Sequence, residues 1–282
     1  MSEPSCGVMH CVHWHEGRQG QRTVDEAIKS ASLLRQRMRP AYPMALFANM
    51  AAQALVDARG KLALWDIHRP LKLPPELRVV AVGRPLSSFV LKLAAMYATH
   101  WNHTLFLDND MTIQEPSLVH SLLSSTLHFS DLAAPVVPGR HKMLGEELSA
   151  AANGAPLLCS CMMAYQRSAL PLLLDASKRL SARRSPALLR QGDQEYIWLA
   201  WTQRFAHLRV MPLPEDYYCP TDALREYYAR AKTRCKAIHQ HAAARRSTLW
   251  YVPNRTLIFS DALDLARSSA RISHPKAPTN SR

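Results

Sequence analysis

The segment Thr104-Leu105-Phe106-Leu107 is a short apolar run that stops abruptly at Asp108-Asn109-Asp110. A buried strand ending in two carboxylates narrows the choice of fold, because open α/β sheets bind their ligands outside the carboxyl ends of the strands. Around this run, strand-like segments alternate with helix-like ones, the pattern that builds an α/β fold on a largely parallel sheet. With 282 residues, 48% of them apolar, the chain is long enough to bury a sizeable core, and disorder of the whole chain is excluded. Only 9 glycines occur, and no G-x-G-x-x-G or G-x-x-x-x-G-K-[ST] is present, which argues against a glycine-rich phosphate loop.

Periodicity predicts a first strand over 7–14 and a helix over 23–38. Thr23 and Glu26 form a capping box for that helix, and Val24, Ala27, Ile28, Ala31, Leu34 and Met38 follow at helical spacing. A strand over 44–48 and a helix over 51–58 closed by Gly60 come next, then weaker strands over 62–67 and 78–82 and a helix over 88–99. Beyond Asp110 the expected elements are a helix over 115–127, a strand over 131–137, a loop over 138–155 and a strand over 157–165. The remainder reads as a helix over 168–180, a basic connector over 181–191, an apolar helix over 193–205 and short strands over 207–211 and 236–239. Internal repeats are absent.

The 35 Lys and Arg residues outnumber the 22 Asp and Glu by 13, which favours polyanionic partners: nucleic acid, an anionic membrane or phosphorylated small molecules. Nucleic acid is the less favoured of these, since neither an RNA-binding signature nor a Cys/His finger spacing accompanies the charge. The longest uncharged stretch contains Asn153, Gly154 and Pro156 and falls short of a membrane span, so a transmembrane segment is not expected. Residues 1–20 lack the basic start and apolar block of a signal peptide, and the expected location is cytoplasmic. Six cysteines without a C-x-x-C pair read as mostly free thiols. The cluster Cys6, His10, Cys11, His13 and His15 is not expected to bind zinc, because strand alternation sends His10 and Cys11 to opposite faces.

Asp108 and Asp110 stand two residues apart just past a strand end, where both side chains can turn toward one point and share a divalent cation. Two enzyme classes place a carboxylate pair there. The run from Leu105 to Ile113 fits the h-h-h-D-x-D-x-[TV] pattern of haloacid-dehalogenase-like phosphatases, in which one Asp is a nucleophile and the other a general acid/base. That family needs a late acidic pair, and here Gly192-Asp193 is followed by Gln194, which makes the phosphatase the runner-up. A non-catalytic, basic nucleic-acid-binding protein is the third reading.

The stronger resemblance is to nucleotide-diphospho-sugar transferases of GT-A fold, of the family-eight, D-x-D type. Pro43-Met44-Ala45-Leu46-Phe47 resembles their "p-x-x-l-f-t" strand, and the stretch from Lys92 through Thr104-Leu105-Phe106-Leu107-Asp108-Asn109-Asp110 resembles "K-x-x-a-l … t-L-F-L-D-x-D". Asp193-Gln194 is similar to their D-Q pair, residues 210–214 to "v-x-x-L-p", and Ile238-His239 to "i-H". Five ordered matches over roughly 200 residues are more specific than any D-x-D alone.

This resemblance implies a single, Rossmann-like α/β domain over 5–245, with a mixed, mostly parallel sheet flanked by helices. A C-terminal extension over 246–282 follows, carrying a strand over 248–259 and disordered from about 270. It implies metal-dependent transfer of a sugar from a nucleotide-diphosphate donor, with UDP-sugars favoured, to an unidentified acceptor. Asp108, Asp110 and His239 are the implied ligands of Mn²⁺ or Mg²⁺, with His241 the rival imidazole, and Lys92 joins the two carboxylates in binding the donor. Asp193 and Gln194 are the implied catalytic pair, flanking the transferred sugar and the acceptor hydroxyl, and the loop over 14–21 borders the base and ribose. In one respect the chain departs from these relatives: they commonly carry Asn-[Ser/Thr/Ala]-Gly before the acceptor-facing strand, where this chain has Cys159-Ser160-Cys161, expected to be buried thiols.

Overall fold

A computed structural model describes residues 5–13, 18–78, 88–136, 155–182, 193–214, 217, 219–220 and 235–239. Its main sheet contains β1 (Cys6–Val12), β2 (Met44–Ala48), β3 (Ile67–Pro70), β4 (His103–Leu107), β6 (Leu132–Pro135), β7 (Met162–Gln166) and β8 (Val210–Leu213), and a smaller sheet joins β5 (Met111–Ile113), β9 (Cys219–Pro220) and β10 (Ala237–His239). The seven strands lie in the order β3-β2-β1-β4-β7-β6-β8, all mutually parallel except β7, which runs antiparallel to both of its neighbours. The described helices are α1 (Arg18–Arg37), α2 (Met50–Ala58), α3 (Pro75–Arg78), α4 (Ser88–Tyr97), α5 (Leu118–His120), α6 (Leu127–Phe129), α7 (Leu170–Ala182) and α8 (Asp193–Arg204).

Apolar residues fill both faces of the main sheet, so its central strands read as continuous apolar runs rather than as an alternation of apolar and polar. Val8, Leu105, Leu107, Met162 and Ala164 enter one layer with Val24, Ala27, Ala31 and Leu34 of α1. Their strand neighbours Met9, Phe106, Met163 and Tyr165 enter the other, against Leu93 and Met96 of α4, Leu172 and Leu173 of α7, and Ile197 of α8. Each such large side chain contributes about 1.5–3 kcal/mol on full burial. Tyr165 satisfies its buried hydroxyl by donating to the Met96 carbonyl at 2.8 Å. Gly7 in β1 lies against the Trp101 indole so closely that a Cβ would sit 2.3 Å from the ring.

Short-range signals set the ends of α2. Asn49 caps its start, accepting from the Ala52 N–H at 3.1 Å. Gly60 takes φ 63° just beyond its end, and the Gly60 and Lys61 N–H groups donate to the Asp57 and Val56 carbonyls, closing a Schellman turn.

Several elements differ from their sequence expectation for identifiable reasons. Because α1 already begins at Arg18, Thr23 and Glu26 lie inside it, and Glu26 pairs with Arg22 at 2.9 Å one turn away. Residues 62–64 form a 3₁₀ turn closed by the Leu64 and Trp65 N–H groups on the Lys61 and Leu62 carbonyls at 3.1 and 3.0 Å, Arg35 Nε donates to the Leu64 carbonyl at 2.8 Å, and β3 starts only at Ile67. The helix expected over 115–127 is interrupted by a π-helical stretch, Ser121–Thr126, at which Ser124 Oγ donates to the His120 carbonyl at 2.6 Å. The strand expected from 157 begins at Met162, and the Cys159-Ser160-Cys161 segment before it turns. β5 and β9, three and two residues long, are too short to register as a period.

Of the loop expected over 14–21, residues 18–21 instead belong to α1 and residues 14–17 lie outside the described residues, as do most of the loop over 138–155 and of the connector over 181–191. So do most of the strand expected over 78–82, His241 and the extension over 246–282. Among the described residues no helix is long and apolar enough to cross a membrane.

Candidate active site at the carboxyl edge of β4

The strand directions bring distant segments to one edge of the sheet. Parallel β1 and β4 end there, and antiparallel β7 begins there, with Met162 opposite Leu107. The turn after β4 is tied to its neighbours on both sides. Asp108 N–H donates to the Cys161 carbonyl at 2.8 Å, and Asn109 Nδ2 donates to the Cys11 carbonyl at 2.9 Å. Met111 N–H closes the turn on the Asp108 carbonyl at 3.0 Å.

β5 leaves this turn and pairs antiparallel with β10 in a register that sets His239 opposite Met111. That pairing delivers the imidazole beside the carboxylates, with His239 Nε2 3.1 Å from Asp110 Oδ1. Ligand atoms of Asp108, Asp110 and His239 all lie within 4.8 Å of one another, the only such metal-competent group of three or more among the described residues. Two carboxylate oxygens and an imidazole nitrogen form a donor set suited to a hard or borderline divalent cation such as Mg²⁺ or Mn²⁺.

Lys92 projects from α4, whose neighbouring Val90, Leu91 and Leu93 are buried, and its side chain is only 11% exposed. Its ammonium lies 2.8 Å from Asp108 Oδ1 and 3.1 Å from Asp193 Oδ2, donates to Ser160 Oγ at 3.1 Å, and stands 5.0 Å from the Phe106 ring centroid. The contact with Asp193 is close enough for an ion pair although it is not aligned as a hydrogen bond. Burial alone would lower the Lys92 pKa, but Asp108 and then Asp193 outweigh it and hold the ammonium above the usual lysine range. Burial pushes the Asp108 carboxyl up, and the Asp110 and Asp193 carboxylates push it further, while Lys92 opposes the rise. The site therefore concentrates negative charge in a partly dry setting.

Asp193 opens α8 with its side chain 3% exposed, and Gln194 follows it. The Gln194 amide Nε2 donates to Cys159 Sγ at 3.5 Å, whereas its Oε1 is buried with no hydrogen-bond partner among the described residues. Thus Lys92, Asp108, Asp110, Asp193, Gln194 and His239, drawn from positions up to 147 residues apart in the sequence, belong to one connected neighbourhood. His241 lies outside the described residues. Sequence reasoning missed Ser160 and Asn109, which hold Lys92 and the carboxylate turn by side-chain hydrogen bonds. Their only sequence signal was their position inside Cys159-Ser160-Cys161 and between the two aspartates.

The cysteines require a correction. Cys159 and Cys161 are joined by a disulfide, and Cys235 is also disulfide-bonded, while Cys6 and Cys11 are free. The turn before β7 brings the sulfurs of Cys159 and Cys161 together, a proximity that residue spacing alone does not convey. Burial pushes the Cys11 thiol up to about 12, so it stays protonated. His10 is fully buried between Trp65 Nε1 and Ser30 Oγ, each 3.3 Å away.

No family model and no curated protein sequence matches the chain. Solved structures do. The galactosyltransferase LgtC, determined with donor and acceptor sugar analogues, is 11% identical, with a TM-score of 0.60 over 93% of this chain and 95% of that one. Mouse xyloside xylosyltransferase 1 is 14% identical, with a TM-score of 0.57 over 84% of this chain and 97% of the other.

The fold is that of these glycosyltransferases.

The glycosyltransferase GlyE of Streptococcus pneumoniae TIGR4 shares it at 12% identity and a TM-score of 0.52, over 92% of this chain and 59% of GlyE. The GT-A-like, mostly parallel architecture expected from the ordered motifs is the one observed.

Proposed function

We propose that the chain is a glycosyltransferase that uses a divalent cation to transfer a sugar from a nucleotide-diphosphate donor, with UDP-sugars favoured, within a domain over 5–245. The observation that carries this reading is the convergence of Asp108, Asp110 and His239 ligand atoms within 4.8 Å at the carboxyl edge of a glycosyltransferase-type sheet. Asp108, Asp110 and His239 are the residues to hold Mn²⁺ or Mg²⁺. Bound there, the cation supplies positive charge against the diphosphate leaving group as the sugar bond breaks.

The chain's own residues do the rest. Lys92 keeps its proton under the pull of Asp108 and Asp193, so it presents a fixed cation for the donor phosphates or sugar. Its low exposure and contact with Phe106 keep that charge partly dehydrated, which strengthens its interaction with an anion. Asp193, 3.1 Å from the Lys92 ammonium, and Gln194, which follows it at the start of α8, flank the transferred sugar and the acceptor hydroxyl. Gln194 Oε1, buried and unpartnered among the described residues, is an acceptor available to the substrate.

Thermal shift against UDP, GDP and nucleotide sugars, with and without Mn²⁺, tests the reading. UDP or GDP should raise the melting temperature only when the cation is present, because two carboxylates repel a diphosphate until a metal intervenes. Equal stabilisation in EDTA overturns the metal bridge. A generic phosphate ester should not be turned over, and trapping of Asp108 by beryllofluoride would favour the phosphatase reading instead.

A further inference from the structure

The Cys159-Ser160-Cys161 turn touches the proposed site at three points. Ser160 Oγ accepts from Lys92 at 3.1 Å, the Cys161 carbonyl accepts from Asp108 N–H at 2.8 Å, and Cys159 Sγ accepts from Gln194 Nε2 at 3.5 Å. Cys161 N–H also donates to Cys159 Sγ at 3.5 Å, fixing the same sulfur from the backbone. Both cysteines are 1% exposed and bonded to each other. A ring closed over a single intervening residue removes little freedom from the unfolded chain, so its stabilising effect is small compared with that of a long-range crosslink.

We propose that the Cys159–Cys161 disulfide is a positioning element: its sulfur holds Gln194 by the amide NH₂ and leaves Oε1 as the group presented to the substrate. The argument turns on hydrogen-bonding capacity. A disulfide sulfur has no hydrogen and can only accept, so the Gln194 NH₂ must face it. A thiol can also donate. In the reduced protein, Cys159 S–H can satisfy Oε1, and the amide is free to turn over and present NH₂ instead. The orientation of Gln194 is then set by the redox state of the pair. A dithiol such as dithiothreitol breaks the Cys159–Cys161 bond by exchange, its two S–H hydrogens passing to the cysteine sulfurs as its own sulfurs join. Oxidised glutathione reverses this, becoming two reduced glutathiones. The inference rests on the proposed transferase reading for its consequence, but its structural part does not.

Three measurements test it. Protein purified without reductant is denatured, alkylated and digested; the peptide carrying residues 159–161 should be unalkylated and two hydrogens lighter than its reduced form, and alkylation at both sulfurs overturns the proposal. In labelled protein, the Gln194 side-chain amide resonances, assigned by their loss in Gln194→Glu, should move on reduction and return on reoxidation. Resonances that do not move overturn it. With UDP-glucose and UDP-galactose as probes in Mn²⁺, kcat for donor hydrolysis should fall about tenfold in Cys159→Ala/Cys161→Ala while KM stays unchanged, as happens when an interaction made only in the transition state is removed.

Reduction of the parent should lower kcat to the same level, oxidised glutathione should restore it, and the double variant should respond to neither. Cys159→Ser/Cys161→Ser, whose hydroxyls donate as thiols do, serves if the alanine variant fails to fold and should behave as the reduced protein. Unchanged kcat in a variant that still shows the Mn²⁺-dependent thermal shift with UDP overturns the positioning role. Absence of that shift in the parent counts against the transferase reading instead, and the alkylation and amide measurements still decide whether the disulfide holds Gln194.

Discussion

Lys92 Nζ stands 3.1 Å from Asp193 Oδ2, joining the helix before β4 to the first residue of α8, 101 positions later in the chain. The same ammonium is 2.8 Å from Asp108. One cation thus compensates carboxylates from two segments at a partly dry site, and its loss would leave both negative charges without their partner.

Lys92→Met should therefore destabilise the fold by about 3 kcal/mol, the usual result of stranding a buried charge, while Lys92→Arg should cost clearly less. Urea unfolding of the two variants measures the difference. The Met variant's deficit should shrink on acidification, because the Asp108 pKa is already raised and protonation removes the stranded charge. A deficit that grows as pH falls would contradict this account.

Asp110→Asn and His239→Ala should each abolish most of the Mn²⁺-dependent thermal shift given by UDP or GDP, with little effect on the melting temperature of the free protein. At a nucleotide concentration a hundredfold above Kd, about 2.7 kcal/mol of ligand stabilisation is at stake. His241→Ala is the comparison and should leave the shift nearly intact. The opposite result for the two histidines would transfer the ligand role to His241.

His10 supplies a pH dependence of stability. Burial lowers its pKa from the ordinary 6.5 to about 4, so the folded state resists a proton that the unfolded chain accepts. Its contribution is complete above pH 6.5 and is lost as pH falls toward 4. A shift of this size is worth about 3 kcal/mol. Denaturant midpoints of the parent should fall over that window, and His10→Gln, which cannot take up the proton, should flatten this part of the profile.

Gly7→Ala should destabilise the protein by about 1–3 kcal/mol, since the new methyl group would overlap the Trp101 ring and neither partner can leave the core. In Gly7→Ala/Trp101→Phe the smaller ring makes room. The double variant should lose less than the sum of the two single losses, a coupling readable by urea unfolding.

The sequence by itself determined the layers and the ends of several elements. The apolar run Thr104–Leu107 requires a buried strand, the spacing of Val24, Ala27, Ala31 and Leu34 requires a helix face, and Gly60 marks the stop of α2 by its tolerance of positive φ. The halt at Asp108-Asn109-Asp110 located the candidate site, because such residues end a buried strand and point to the ligand edge of the sheet. Only the tertiary structure decided what meets there. The antiparallel run of β7 brings Cys159, Ser160 and Cys161 to the carboxyl edge of β4, and the pairing of three-residue β5 with β10 carries His239 to Asp110. Strand direction and register depend on contacts between segments far apart in the chain, which no local period encodes. The burial of Lys92 between two aspartates and the contact of the locally closed Cys159–Cys161 turn with Gln194 follow from the same long-range packing, and so the charges and hydrogen bonds of the site appear only once the sheet is assembled.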